Sequence, residues 1–551
     1  MNTSNGMYQV GFCYYLGIGV EIDKYKAFSY YLKSAEAGNS MGIWKTAWCY
    51  YYGIGVEKND DKFRKWIKKN STYGKCAHCN EDNTNRAWCL SCDPDAATRC
   101  TSGNKNIDDC TKTFQLRTWR YEDLIEWIPF DRLSGVKKIG EGGFGSVYSV
   151  TWLDGIRKIE TIKDGDNDIY KKAREPSSTI APKTLAGSKE NNNDFLKEFK
   201  SLMACKINYN KLAIYGITQN TETKEYLMVF QYANDGSLYK YLRKNFCNLT
   251  WQAKLEILKN ISNELYYIHE YAGYIHADFY SGNILQDQQD NIASSYIADL
   301  GLSRKTDEKV LEGNIYEVMP YVAPEVLSGE QQFTEVADIY GLGVIMSEMT
   351  TGQRPFDGHE FDHKLAFKIC KRGLRPEFAS GTPKCYIELA EKCMDSDPQK
   401  RPWAYNVCET ISGWQDKIAI SNVNKIKDWL EKIAKRSNDN EFKDLLKMIA
   451  TRSRYDYEFK NLLNKIDDDE IKDWLEKIAY SKDNEINDWR MKLANSNDNE
   501  IKDLLEKIAN DKIAKQFLDA DKVIKSLPIS KHPDGNVYQQ NYLHKINFES
   551  D

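Results

Sequence analysis

Tyr274-Ile275-His276-Ala277-Asp278-Phe279-Tyr280-Ser281-Gly282-Asn283-Ile284-Leu285 carries the most restrictive pattern of residues in the chain. Asp278 and Asn283 stand five residues apart in it, between an aromatic-rich helical segment and a short apolar strand. Asp299 follows 21 residues after Asp278, inside Ala298-Asp299-Leu300-Gly301. Phosphoryl transfer asks a protein for one carboxylate to orient a hydroxyl, and for an amide plus a carboxylate to hold magnesium. The two loops supply that set.

At 551 residues the chain exceeds one core, and about 150 residues per domain implies three or four domains. Hydrophobic content of 41% and charge of 28% are those of a globular protein. A net charge of −5 argues against a general nucleic-acid or membrane-surface binder. No apolar run approaches the ~18 residues of a membrane-spanning helix. The opening MNTSNGMYQVGF lacks the basic head and apolar core of a secretory signal. The 14 cysteines are therefore expected as thiols and metal ligands of a cytoplasmic protein.

Upstream lies Gly140-Glu141-Gly142-Gly143-Phe144-Gly145-Ser146-Val147. Glycines let backbone amides approach phosphates, but a dinucleotide-binding turn shares the pattern. Val147 among β-forming residues favours a hairpin cover, and both readings stay open at this point. Ile180-Ala181-Pro182-Lys183 then resembles the V-A-I-K strand of protein kinases, with Glu198 fifteen residues on in DFLKEFKSLM. Lys163 competes by its distance from the glycines but stands too far before Glu198. The choice of Lys183 implies an insertion of about twenty polar residues, expected as a loop. Phe230-Gln231-Tyr232-Ala233-Asn234-Asp235-Gly236 looks like the hinge between kinase lobes. Ala323-Pro324-Glu325, Asp338 and Arg401 continue the series in order.

The ordered series resembles the protein kinases, closest to the tyrosine-kinase-like branch and in wording to the expanded kinase set of arbuscular mycorrhizal fungi. It covers residues 132–413, about half the chain. The resemblance implies an α+β bilobal protein-kinase fold using ATP and Mg2+ on a protein substrate, serine/threonine hydroxyls favoured. It makes Asp278, Lys183 and Glu198 the catalytic residues. It assigns nucleotide binding to Gly140, Glu141, Gly142, Gly143, Phe144, Gly145, Val147, Ala181, Lys183, Phe230 and Ala233, and magnesium to Asn283 and Asp299. Glu325 and Arg401 would form an ion pair in the large lobe.

The chain also departs from that pattern. Ala277 stands where the family has the arginine of H-R-D, and Tyr280 replaces the lysine two residues after Asp278. Val318 replaces the threonine that usually partners that lysine. Without the arginine, phosphorylation of Thr306 or Tyr316 is not expected to be the main on-switch. An altered but active kinase is the primary reading. A pseudokinase scaffold that binds nucleotide without turnover is the alternative.

The flanks read as interaction modules. Cys13-Tyr14-Tyr15-Leu16-Gly17-Ile18-Gly19-Val20-Glu21 returns at Cys49 with a period of 36, which resembles Sel-1-like helical repeats over residues 1–70. So few units fit a docked appendage as well as a partner surface. Residues 71–111 hold Cys76-x2-Cys79 and Cys89-x2-Cys92, with Cys100, Cys110 and His78 nearby. Two such pairs make a small zinc-knuckle-like segment, whereas a redox pair would want a βαβ setting. A linker helix is expected over 112–131, burying Trp119, Trp127 and Phe130. Residues 414–520 repeat IKDWLEKIA-like units, short amphipathic helices offering a second protein-partner surface. Residues 521–551 read as tail.

Overall fold

The computed structural model describes residues 3–16, 20–69, 73–76, 78–93, 101–118, 120–142, 145–164, 167–184, 192–207, 212–289, 292–299, 304–305, 315–316, 319–421, 476, 511–524 and 542–543. The chain divides into two compact units, Met1–Tyr232 and Ala233–Asp551.

In the first unit, α1 (Ser4–Leu16), α2 (Lys24–Glu36), α3 (Ser40–Tyr52) and α4 (Asp60–Ile67) form two successive helix pairs. Asp23, Asn39 and Asn59 cap α2, α3 and α4, each side chain accepting from a backbone N–H three residues on. Gly55 has φ +62, and a Cβ there would run into the Lys24 carbonyl. That close approach explains the Gly-x-Gly turn. Ile43, Tyr50, Tyr51, Phe63, Trp66 and Ile67 form the core of the repeats, and Leu90 of the cysteine segment joins it.

Next, α5 (Lys105–Gln115) buries Ile107, Cys110 and Phe114. The linker helix expected over 112–131 is corrected: the helix begins earlier and ends at Gln115. The chain then enters β1 (Glu126–Trp127) and a 3-10 turn at Phe130–Arg132. Phe130 packs on the sheet core and Trp127 is half-buried, while Trp119 lies outside the described residues. Cys110 is a core side chain.

The sheet that follows uses β2 (Leu133–Gly142), β3 (Gly145–Trp152), β6 (Ser178–Thr184), β7 (Ile214–Gln219) and β8 (Tyr226–Gln231). Its order is β1-β7-β8-β6-β3-β2. Ile128, Leu133, Val150, Trp152, Ile180 and Val229 fill its core. Between β3 and β6 the polar insertion is an antiparallel hairpin, β4 (Arg157–Asp164) and β5 (Asn167–Arg174), paired in eight registers. The loop expected there is corrected. Its base is clamped by Glu126, whose carboxylate lies 2.8 Å from Arg157 and 2.7 Å from Arg174. Helix α6 (Asn192–Ile207) completes the unit.

The second unit runs through β9 (Gly236–Ser237), α7 (Leu238–Asn245), α8 (Trp251–Tyr267), β10 (Tyr274–Ile275), β11 (Ile284–Gln289), β12 (Ile292–Ile297), β13 (Arg304–Lys305) and β14 (Ile315–Tyr316). Helices α9 (Pro324–Leu327), α10 (Glu335–Thr351), α11 (His363–Arg372), α12 (Lys384–Cys393) and α13 (Ala404–Ser421) follow. Residues Ala337 to Thr350 of α10 are all buried, so it is the central helix of this unit. The repeats of 422–510 lie outside the described residues apart from Glu476. A last helix, α14 (Lys512–Ile524), packs on the unit through buried Ala514, Phe517 and Ala520. The tail expected from residue 521 is corrected by the end of that helix and by β15 (Tyr542–Leu543), which pairs with β14.

Candidate active site

In the first unit, Lys183 lies on β6 opposite Val147 of β3 and Met228 of β8. Its Nζ is 3.8 Å from Glu198 Oε1 on α6, with side chains 14% and 7% exposed. The buried carboxylate thereby holds the lysine side chain in position. The described part of the glycine-rich stretch forms the facing ends of β2 and β3: Gly140, Glu141 and Gly142 pair with Val147, Ser146 and Gly145. Gly145 has φ +133, and a Cβ there would meet the Thr184 carbonyl. The strands on either side of the glycines pair with each other and β3, not a helix, follows them, so the dinucleotide-binding alternative fails. Gly143 and Phe144 fall outside the described residues. Ala181 pairs with Phe230, which is buried.

In the second unit, the decisive stretch is built around Asp338 of α10. Its carboxylate accepts from His276 N at 2.8 Å and Ala277 N at 3.0 Å. His269, invisible to motif reading, adds Nε2 at 2.8 Å to the same carboxylate. His276 is fully buried, and burial pushes its imidazole below the usual histidine range. Its Nε2 donates to the Ala298 carbonyl at 3.0 Å, which leaves Nδ1 to accept from Asp278 N at 3.3 Å. One neutral ring thus ties the Asp278 loop to the residue before Asp299.

Asn283 Nδ2 donates to the Asp278 carboxylate at 2.8 Å and to the Asp278 carbonyl at 2.9 Å. Asn283 N bonds the Tyr280 carbonyl at 3.0 Å. The amide nitrogen being committed to Asp278, the oxygen is the end that remains for a cation. It and the half-buried carboxylate of Asp299 would both offer hard oxygen donors, the chemistry that suits magnesium. Ala277 and Asp299 both have positive φ, +65 and +62. Such strain in non-glycine residues needs the surrounding hydrogen bonds to hold it.

Tyr280 packs its ring 5.8 Å from Tyr321. Burial, with the Asp278 and Asp299 carboxylates, raises its phenol, so the hydroxyl stays protonated. Tyr321 in turn donates to Glu348 at 2.7 Å, and Ser281 to the same carboxylate at 3.0 Å. Sequence reasoning missed this buried polar network. Ala233 lies in the turn before β9, its carbonyl accepting from Gly236 N at 3.2 Å. Thr306, Val318 and Leu300 are outside the described residues.

The four cysteines Cys76, Cys79, Cys89 and Cys92 converge, all their sulfurs within 4.8 Å of one another. Cys76–Cys92 and Cys79–Cys89 are 3.5 Å apart, Cys79–Cys92 4.0 Å. Tetrahedral zinc with ~2.3 Å bonds sets its sulfurs just under about 4 Å apart, so the cluster fits that ion. Cys100 is outside the described residues. His78 is not part of the group.

The description "protein tyrosine and serine/threonine kinase" belongs to a family model that matches residues 133–411. The Sel1 repeat matches residues 4–39 and 40–69. A probable serine/threonine-protein kinase of Dictyostelium discoideum is 26% identical over 55% of this chain and 16% of its own length. A probable receptor-like serine/threonine-protein kinase of Arabidopsis thaliana is 27% identical over 52% of this chain and 30% of its own. A tyrosine protein-kinase of Caenorhabditis elegans is 27% identical over 50% of this chain and 47% of its own. The chain therefore spans less than half of each of these relatives. Among the described residues no helix is long and apolar enough to cross a membrane.

Proposed function

Since the chain belongs to the protein tyrosine and serine/threonine kinase family, we propose that it transfers the γ-phosphate of ATP to a protein hydroxyl, serine or threonine for preference. Asp278 orients the acceptor hydroxyl and takes its proton. Lys183, steadied by Glu198, holds the nucleotide phosphates, under a cover made by Gly140 to Gly145 with Val147. Ala181, Phe230 and Ala233 receive the adenine. Asn283 and Asp299 hold Mg2+, which neutralises charge on the phosphates. The observation that carries this reading is the Asp278–Asn283 bond at 2.8 Å, which pins base and metal ligand in one geometry.

Two companion proposals go with it. Cys76, Cys79, Cys89 and Cys92 hold a structural Zn2+, and thiolate ligands suit a reducing, cytoplasmic setting. The N-terminal and C-terminal repeats bind protein partners.

The test is magnesium-dependent incorporation of the γ-phosphate by the purified chain, beside Asp278→Asn and Lys183→Met. Loss of about 10²-fold or more in both variants supports catalysis. Nucleotide bound tightly by the wild type without any incorporation would replace the kinase by the scaffold reading.

A further inference from the structure

Asp93 follows Cys92 directly, and both its carboxylate oxygens are committed. Oδ2 accepts from Cys89 N at 2.7 Å, which fixes the turn of the second cysteine pair. Oδ1 accepts from Lys172 Nζ of the inserted hairpin, also at 2.7 Å. Trp88, next to Cys89, is buried, and the Lys172 ammonium lies 5.4 Å from its ring centre. Arg86 sits over Tyr170 at 5.4 Å, and Tyr73 meets Tyr170 edge-on at 6.1 Å. Tyr170 and Lys172 are two apart on β5 and so share one face of the hairpin. From its other side the cysteine segment sends Leu90 into the core of the repeats, and Lys68 of the repeats pairs with Glu81 at 3.1 Å.

Both partners in this contact are weak alone. The β4–β5 pair is a sheet of two strands, separate from the six-stranded sheet. A hairpin of that kind is marginally stable at best in water. Among the described residues of 73–93, regular structure amounts to the isolated bridges Lys75↔Asp82 and Asn85↔Trp88 and a helical residue at Asp93. A segment so built draws its folding free energy from the metal it binds.

We propose that a divalent metal on the four cysteines is what docks the β4–β5 hairpin, making this segment a metal-assembled bracket between the repeats and the insertion. This rests on the zinc reading above. Metal fixes the Cys89–Cys92 turn; the turn fixes Asp93 and Trp88; these hold Lys172 and Tyr170. Arg174 ends β5 four residues before β6, the strand that carries Lys183, so metal occupancy reaches the edge of the candidate site.

The experiment uses the full chain, stripped with chelator under reductant and then loaded with Co2+ or Zn2+. Thiolate-to-cobalt absorption reports the site, and amide exchange reports residues 157–174 against residues 214–231. Loading is expected to slow exchange in 157–174 by about tenfold or more and to leave 214–231 unchanged. Lys172→Met should keep the cobalt spectrum yet lose most of that protection. A complete cobalt spectrum with unchanged hairpin exchange overturns the docking alone. So does slowing that extends equally to 214–231, or full protection in Lys172→Met. Absence of the thiolate–cobalt band removes the metal reading and the docking with it.

Discussion

Arg401 closes a two-point ion pair on Glu325, Nη1 and Nη2 each donating to one carboxylate oxygen at 2.7 Å. The side chains are 0% and 6% exposed. Nε and Nη1 also donate to the carbonyls of Asp395 and Val336 at 2.9 and 3.0 Å, so the guanidinium is satisfied on every side that matters. Removing one member leaves a buried charge uncompensated, typically at about 3–5 kcal/mol. Glu325→Gln and Arg401→Lys should each lower the urea midpoint of the Ala233–Asp551 unit, because lysine cannot make the forked contact. The Glu325→Gln/Arg401→Lys double variant should lose less than the sum of the singles.

Gly282 and Tyr280 are coupled by space. A Cβ at position 282 would sit 2.7 Å from Tyr280 Cζ and 2.9 Å from its hydroxyl. Gly282→Ala should therefore displace the ring or the loop, at about 1–3 kcal/mol. Since Asn283 is the next residue, phosphate incorporation should fall with it. Tyr280→Ser in the same chain removes the obstacle and should restore the stability. Additive losses in the double variant would show that the ring and the glycine are independent.

The decisive stretch was legible because its chemistry restricts residue type: few side chains can serve at 278, 283 and 299. Lys183 was reached through its spacing from Glu198, although Lys163 stands nearer the glycines. The hairpin around Lys163 was not legible from composition, because its strands are mostly charged. Their partner, the Asp93 turn, is 79 residues away from Lys172. A local signal did exist in the sequence: an Asp-Gly step at Asp164-Gly165, the kind that favours a hairpin, stands between the two runs that pair from Asp164 with Asn167 outward. The 105–115 helix is hidden in the sequence because Cys110 looks like a member of the cysteine cluster, whereas it shares one apolar face with Ile107 and Phe114. His269 carries no motif and emerges only where α10 brings Asp338 to it.

Phe517 anchors α14. Its ring is 1% exposed, with centroids 5.5 Å from Trp251 and 5.4 Å from Trp414. Gln516 Oε1 accepts from Lys384 N at 2.9 Å at the start of α12, and Asp521 Oδ1 from Trp251 N at 2.6 Å at the start of α8. The helix thus satisfies amides that helix starts leave without partners. Phe517→Ala should cost about 3–5 kcal/mol, read in urea unfolding of the full chain. The exposed Lys515→Ala should be neutral. Equal effects from the two would mean that α14 contributes nothing to this unit.

Beneath α14, Lys254 is fully buried, and its Nζ makes no hydrogen bond among the described residues. The ammonium lies 4.1 Å from the ring centre of Phe246 and 5.2 Å from that of Trp251. Burial pushes its pKa down to about 8 from the ordinary 10.5, only partly opposed by Asp521, whose carboxylate already serves Trp251 N. Between those two values the unfolded chain binds the proton and the folded one does not, so folding is favoured progressively as pH rises from 8 towards 10.5. Below pH 8 the penalty is present in full, roughly 3 kcal/mol. Lys254→Met keeps the bulk without the charge and should be more stable than the wild type at pH 7 by up to that amount. The gap between the two proteins should close as pH climbs through the same window, and the difference cancels any titration they share. Chemical unfolding of both at pH 7, 8, 9 and 10 checks this. A gap that stays constant across the series would mean that the buried lysine folds with its proton on.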